Sequence, residues 1–210
     1  TLAKLKAKGK EMGATVNEML LAAYFYSVYE LADFPATDQV MISSAIDLRR
    51  HMDSVADKGF TNHTAWMQCA IPERGRDIFE TVKYVVRSSN RFKKDKFMGL
   101  YGLPLLNFGY SILPHAASEE IIKIGYSNPY MAMSNIGILN GPQLALCGNE
   151  PTDAFMSGAV KYKPFVLLTA TTYKNVITLS MCVRGNDKDK AIVNNFFDLM
   201  EKNIKTLISE

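Results

Sequence analysis

The chain has 210 residues, with 24 Lys plus Arg against 21 Asp plus Glu and three His, a formal charge of +3. Hydrophobic residues make up 48% and charged residues 21%, which is globular composition and argues against a disordered tail, a coiled coil or a collagen-like fibre. One unit over residues 1–210 with a sizeable core is expected, and the interspersed charge leaves no footprint for nucleic acid.

Residues 1–12 are Lys-rich, carry apolar Leu2, Leu5 and Met12, and close at Gly13, a short amphipathic lead-in. Thr15 and Glu18 have the spacing of a capping box. Val16, Met19, Leu20, Ala23 and Tyr24 then recur at helical spacing, predicting a largely buried helix to about Leu31. An apolar run over 39–48 reads as a covered strand ending in Asp47-Leu48-Arg49-Arg50. Residues 50–63 read as loop, and 64–71 as a second strand closed by Pro72. Ile78, Phe79, Val82, Val85 and Val86 predict a helix over 77–92, and a second helical stretch is expected over 94–112, irregular at Gly99, Gly102 and Pro104. A strand over 130–139 holds polar Ser134 and Asn135. Three short β-patterned runs follow at 155–161, 165–173 and 176–183, the last two joined by the tight turn Lys174-Asn175, and an amphipathic helix closes the chain over 187–208. The order points to an α/β fold with a mixed sheet and helices over one face.

The chain has no G-x-S-x-G elbow, phosphate loop, G-x-G-x-x-G, H-E-x-x-H or C-x-x-C, so hydrolase, nucleotide and zinc readings lose their usual support. His51, His63 and His115 stand in loops and read as exposed side chains. Cys69, Cys147 and Cys182 are odd in number, far apart and in apolar contexts, which suits a reducing compartment; with no membrane-length apolar run and no signal pattern, a cytoplasmic location is expected. The opening, inside a helical pattern and without Met, reads as a piece of a longer chain.

Two constellations invite chemistry. At a strand end, Asp47 and Arg49 share a face opposite Leu48, either as an ion pair capping the strand or as a functional acid and guanidinium. Ser134 and Asn135 inside an apolar strand need partners, which a bulge at Gly137 or a cavity would supply. Tyr101, Phe108 and Tyr110 read as core packing, with a greasy tunnel wall as the alternative.

The ordered set 14–23 opening a buried helix, Ile46-Asp47-Leu48-Arg49 at a strand end, Gly59-Phe60-Thr61-Asn62, and Met133-Ser134-Asn135-Ile136-Gly137 resembles the C-terminal half of the chloramphenicol-acetyltransferase-like superfamily. That superfamily includes peptide-synthetase condensation domains, alcohol acetyltransferases, and wax-ester and polyketide-associated acyltransferases. The resemblance implies one lobe of a two-lobe enzyme moving an acyl group from a coenzyme A or phosphopantetheine carrier-protein thioester to an alcohol or amine, with no tightly bound cofactor and no metal. The family's H-H-x-x-x-D-G motif is absent from 1–210, so the general base would come from an N-terminal lobe. By resemblance, Ser134 supports the oxyanion, Ser134 and Asn135 face the tunnel, and Asp47, beside Arg49, pairs with an arginine across the lobe interface. No role is carried onto the Asn62 loop, where Phe60 and Thr61 interrupt the family's Gly-Asn pair. Partners implied are the N-terminal lobe, acyl-CoA or an acyl carrier protein, and a second copy through an exposed apolar face. A non-catalytic acyl-thioester-binding or assembly module remains the alternative.

Overall fold

The computed structural model describes residues 2–32, 34–35, 37–51, 62–95, 97, 100–125 and 129–209. Helices α1 (Leu2–Glu11) and α2 (Val16–Ala32) lead into strand β1 (Val40–Asp47), a 3-10 turn (Leu48–His51) and β2 (Thr64–Ile71). Helices α3 (Ile78–Lys93), α4 (Leu103–Ile112) and α5 (His115–Gly125) precede β3 (Met131–Ile138). Strands β4 (Lys161–Tyr162), β5 (Val166–Tyr173), β6 (Val176–Met181) and β7 (Val183–Arg184) then lead to α6 (Asp187–Ser209).

Five strands form one mixed sheet in the order β2-β1-β3-β5-β6, and β4 and β7 form a separate parallel pair. The three central strands run parallel, flanked by antiparallel β2 and β6. In β2 alternation decides the faces: Ala65, Met67, Cys69 and Ile71 are buried, while Thr64, Trp66 and Gln68 are exposed. The buried face lies under α1, α2, α3 and α6, and one core cluster joins Leu5, Phe25, Val82 and Leu207 to the strand residues Ile42, Met133 and Leu168. The covering of one face by helices is as the sequence predicts. The Lys174-Asn175 turn takes positive φ at both residues (44° and 68°), the backbone a tight hairpin requires.

Capping accounts for two helix starts. Thr15 Oγ1 accepts the Glu18 N–H at 3.3 Å while Glu18 Oε2 accepts the Thr15 N–H at 2.7 Å, a reciprocal capping box. Asp77 accepts the Glu80 N–H at 2.7 Å and starts α3. No helix among the described residues is long and apolar enough to cross a membrane.

Three expectations need correction. The stretch 94–112 forms a helix only from Leu103, because Pro104 sits in the first turn and begins α4 instead of breaking it; α5, which the pattern did not show, follows at once. Residues 155–160 join no ladder. They lie across the outer face of β5 and β6, where the Met156 carbonyl accepts from Thr169 Oγ1 (3.1 Å) and Ser180 Oγ (2.8 Å) and its N–H donates to Thr171 Oγ1 (3.0 Å). Gly158 permits this approach, since a Cβ there would come within 2.9 Å of Thr169 and 3.0 Å of Leu167. Tyr101, Phe108 and Tyr110 are exposed rather than core, and no residue of α4 is buried.

Candidate functional site

The β1–β3 ladder is short, pairing only Ser43 with Ala132 and Ser44 with Met133, whereas β3 and β5 stay paired to Ile138–Thr172. Beyond Ser44 and Met133 the carboxyl ends of two neighbouring parallel strands part, and Asp47 and Ser134–Ile138 stand at the two sides of the opening. Crevices at the carboxyl ends of parallel strands are where open α/β sheets place ligands.

The side chain of Asn17, in the first turn of α2, spans this opening. Its Nδ2 donates to Ser44 Oγ at 3.2 Å and its Oδ1 accepts from Asn135 Nδ2 at 3.3 Å. Asn135 Oδ1 in turn accepts the Gly137 N–H at 2.9 Å, across the register shift between Asn135 and Gly137. Gly137 has φ +80°, a left-handed conformation in which a side chain would strain the backbone. The bulge is therefore held from the helix side by two amides.

Behind Asn17, Glu18 anchors the start of α2. Its side chain is 1% exposed and reaches α3, accepting from Lys93 Nζ at 2.6 Å and from the Ser89 hydroxyl. Burial opposes the charge, but the bonds from Lys93, Ser89 and Thr15 outweigh it and hold the Glu18 carboxyl below the usual carboxylate range.

Ser134 and Asn135 separate across the strand. The Asn135 amide turns to α2, while Ser134 follows fully buried Met133, pairs with Thr169 and lies on the outer face. Ser134 is half-buried and makes no side-chain hydrogen bond among the described residues. Exposed Met41 and Trp66 lie on the same outer face, and Ile136, the extra residue of the bulge, and Ile138 beyond it are exposed.

Asp47 and Arg49 do come together. Asp47 Oδ1 accepts the Arg49 N–H at 3.0 Å and an Arg49 Nη1–H at 3.3 Å, so the pair caps the strand end in the open. The Arg49 N–H, aided by the guanidinium, holds the Asp47 carboxyl below its usual range. Asn62 accepts the Thr64 N–H at 3.0 Å; the rest of its motif, Gly59 to Thr61, and the side chain of His51 lie outside the described residues. His63 precedes β2 and gives its carbonyl to the Leu48 N–H, and His115 opens α5 at the surface. The described residues hold no group of three or more His, Cys, Asp or Glu fit for a metal. Cys69 is buried, and burial pushes its thiol up to about 11, so it is inert.

Among solved structures, the TRI3 trichothecene 15-O-acetyltransferase of Fusarium sporotrichioides superposes with a TM-score of 0.62 at 12% identity, over 94% of this chain and 43% of that one. The PapA2 acyl transferase gives 0.61 at 12% identity, over 99% and 42%. The condensation domain that mediates chain release from the enacyloxin polyketide synthase gives 0.57 at 11%, over 97% and 38%. The chain has the chloramphenicol-acetyltransferase-like fold. It spans about two fifths of the length of these three proteins. No protein-family model and no curated protein sequence matches it.

Asn17 and Glu18 are the site residues that sequence reasoning missed. Glu18 was visible as a capping-box partner. Its burial was not, because Ser89 and Lys93 lie 71 and 75 residues away.

Proposed function

We propose that this chain is the C-terminal lobe of an acyltransferase that moves an acyl group from a coenzyme A or carrier-protein thioester to an alcohol or amine, with the histidine base supplied by an N-terminal lobe. The observation that carries this reading is the match of nearly the whole chain to part of several acyl-transfer proteins. Two features of the chain agree with it. The β1–β3 ladder stops at Ser44 and Met133, leaving the carboxyl ends of both strands unpaired with each other, and α4 presents an apolar surface that no described residue covers.

In this reading the thioester carbonyl lies at the carboxyl end of β3. A base on the other lobe takes the proton of the attacking hydroxyl or amine, the tetrahedral oxyanion accepts the Ser134 O–H, and the thiolate leaves. Asn135, held by Asn17, keeps the bulge that sets the position of Ser134. Asp47 exchanges its exposed bond with Arg49 for an arginine of the other lobe. The donor thioester, the N-terminal lobe and the cytoplasmic setting belong to the same proposal.

The test is Ser134→Ala in a two-lobe protein carrying this chain, with melting and acyl transfer measured on one preparation. Loss of one oxyanion donor should lower kcat by roughly 10²–10³ with the melting temperature unchanged. Early melting with turnover per folded molecule intact would make Ser134 a structural residue. Thioester binding without turnover in the intact two-lobe protein would favour a non-catalytic binding module.

A further inference from the structure

On the opposite, helix-covered side of the sheet lies a cavity of about 270 Å³ between the second half of α2, the first turns of α6 and strands β3, β5 and β6. Tyr24, Val28 and Leu31 form its α2 wall at successive helical turns, and Met131 and Met181 close it from the sheet. Exposed Phe34 and Ile192 mark its mouth; Tyr24, 1% exposed, and Phe196, 4% exposed, mark its deep end.

The lining side chains are apolar but for Tyr24, whose hydroxyl is closed off from the cavity as well as from bulk solvent. That hydroxyl has no hydrogen-bond partner among the described residues. Buried tyrosine hydroxyls ordinarily find one, and Phe would fill the same space without a polar atom to satisfy. Burial raises the Tyr24 pKa, so the group stays a neutral O–H donor. The remaining lining side chains are aliphatic, thioether, aromatic or proline, and none accepts a strong hydrogen bond.

We propose that this cavity binds an uncharged lipophilic molecule with a single carbonyl acceptor, a ketone, ester or lactone, whose oxygen takes the Tyr24 O–H. An apolar cavity of about 150 Å³ holds benzene, so this one holds roughly ten non-hydrogen atoms. No charged side chain lines it, and desolvation excludes a carboxylate or an amine. A carbonyl reaches the sealed hydroxyl only if a neighbouring side chain moves, and the proposal requires the Phe196 ring, edge-on to Tyr24 with centroids 5.2 Å apart, to turn aside. This site is separate from the Ser134 crevice and does not depend on acyl transfer.

The experiment titrates the chain with 2-nonanone, decane and nonanoate while following the methyl resonances of its methionines. The ketone should shift the Met131 and Met181 methyls saturably, about tenfold more tightly than decane, with nonanoate silent. In Tyr24→Phe the ketone should lose that advantage while decane still binds, and the unliganded melting temperature should hold or rise. Equal affinity for ketone and decane in the wild-type chain, a ketone preference that survives Tyr24→Phe, nonanoate binding at the same methyls, or no shift at Met131 and Met181 would each overturn the proposal.

Discussion

Helices α2 and α4 are both rich in apolar residues and meet opposite fates. In α2, eleven of seventeen residues are buried, among them Leu20, Leu21, Phe25 and Tyr29, because β1, α3 and α6 surround it. In α4, Leu105, Phe108 and Ile112 are exposed and no residue is buried. A hydrophobic sequence specifies only that a partner is needed; the topology decides whether the same chain provides it. The sheet shows the same contrast, its helix side closed and its outer side bearing exposed Met41 and Trp66.

The comparison breaks first at the level of single leucines. Leu21→Ala should cost about 2–5 kcal/mol in the chain, whereas Leu105→Ala should stay within about 0.5 kcal/mol, both read by urea unfolding. A cost of several kcal/mol for Leu105→Ala in a monomeric chain would mean that α4 is packed after all.

Glu18 sharpens the account of why α2 is held. Its pKa is depressed in the folded state, so it contributes stability above its unfolded pKa, and that contribution is lost as pH falls through the folded value. Glu18→Gln should lower stability at neutral pH by about 1–2 kcal/mol, a figure moderated by the partial exposure of Lys93. It should also flatten the loss between neutral and acid pH. An unchanged acid limb in unfolding curves taken across pH would contradict the buried-pair role.

Much of the framework was legible. The Thr15–Glu18 capping box, the alternation of 64–71 and the Lys174-Asn175 turn are local, so a few neighbouring residues determine them. Ser134 and Asn135, which the resemblance places on one tunnel, are an exception, because strand alternation turns the Asn135 amide to α2 and Ser134 to the outer face. The role of Asn17 was not legible, because Ser44 and Asn135 lie 27 and 118 residues away and are gathered only by the sheet order. The exposure of α4 was hidden for a related reason: the pattern of an apolar helix is the same whether its partner lies in the chain or outside it.

Asn17→Ala removes both bonds across the β1–β3 opening and should cost about 1 kcal/mol, with faster amide exchange at Gly137 while β2 is unaffected. Unchanged exchange at Gly137 would mean that the bulge holds itself. The smallest effect belongs to Asp47→Asn. An exposed pair contributes little, so a change within about 0.5 kcal/mol is expected in the chain alone, and a larger loss only where a second lobe is docked. Equal small losses with and without that lobe, compared by thermal unfolding, would remove Asp47 from the interface.

Amide exchange along α4 tests the central claim most directly. In the monomeric chain, residues 105–112 should exchange far faster than buried α2, and in a two-lobe protein carrying the chain they should become protected by about 100-fold or more while α2 stays as it was. Protection of α4 equal to that of α2 in the monomer, or no gain in the two-lobe protein, would contradict the reading of this chain as one lobe awaiting another.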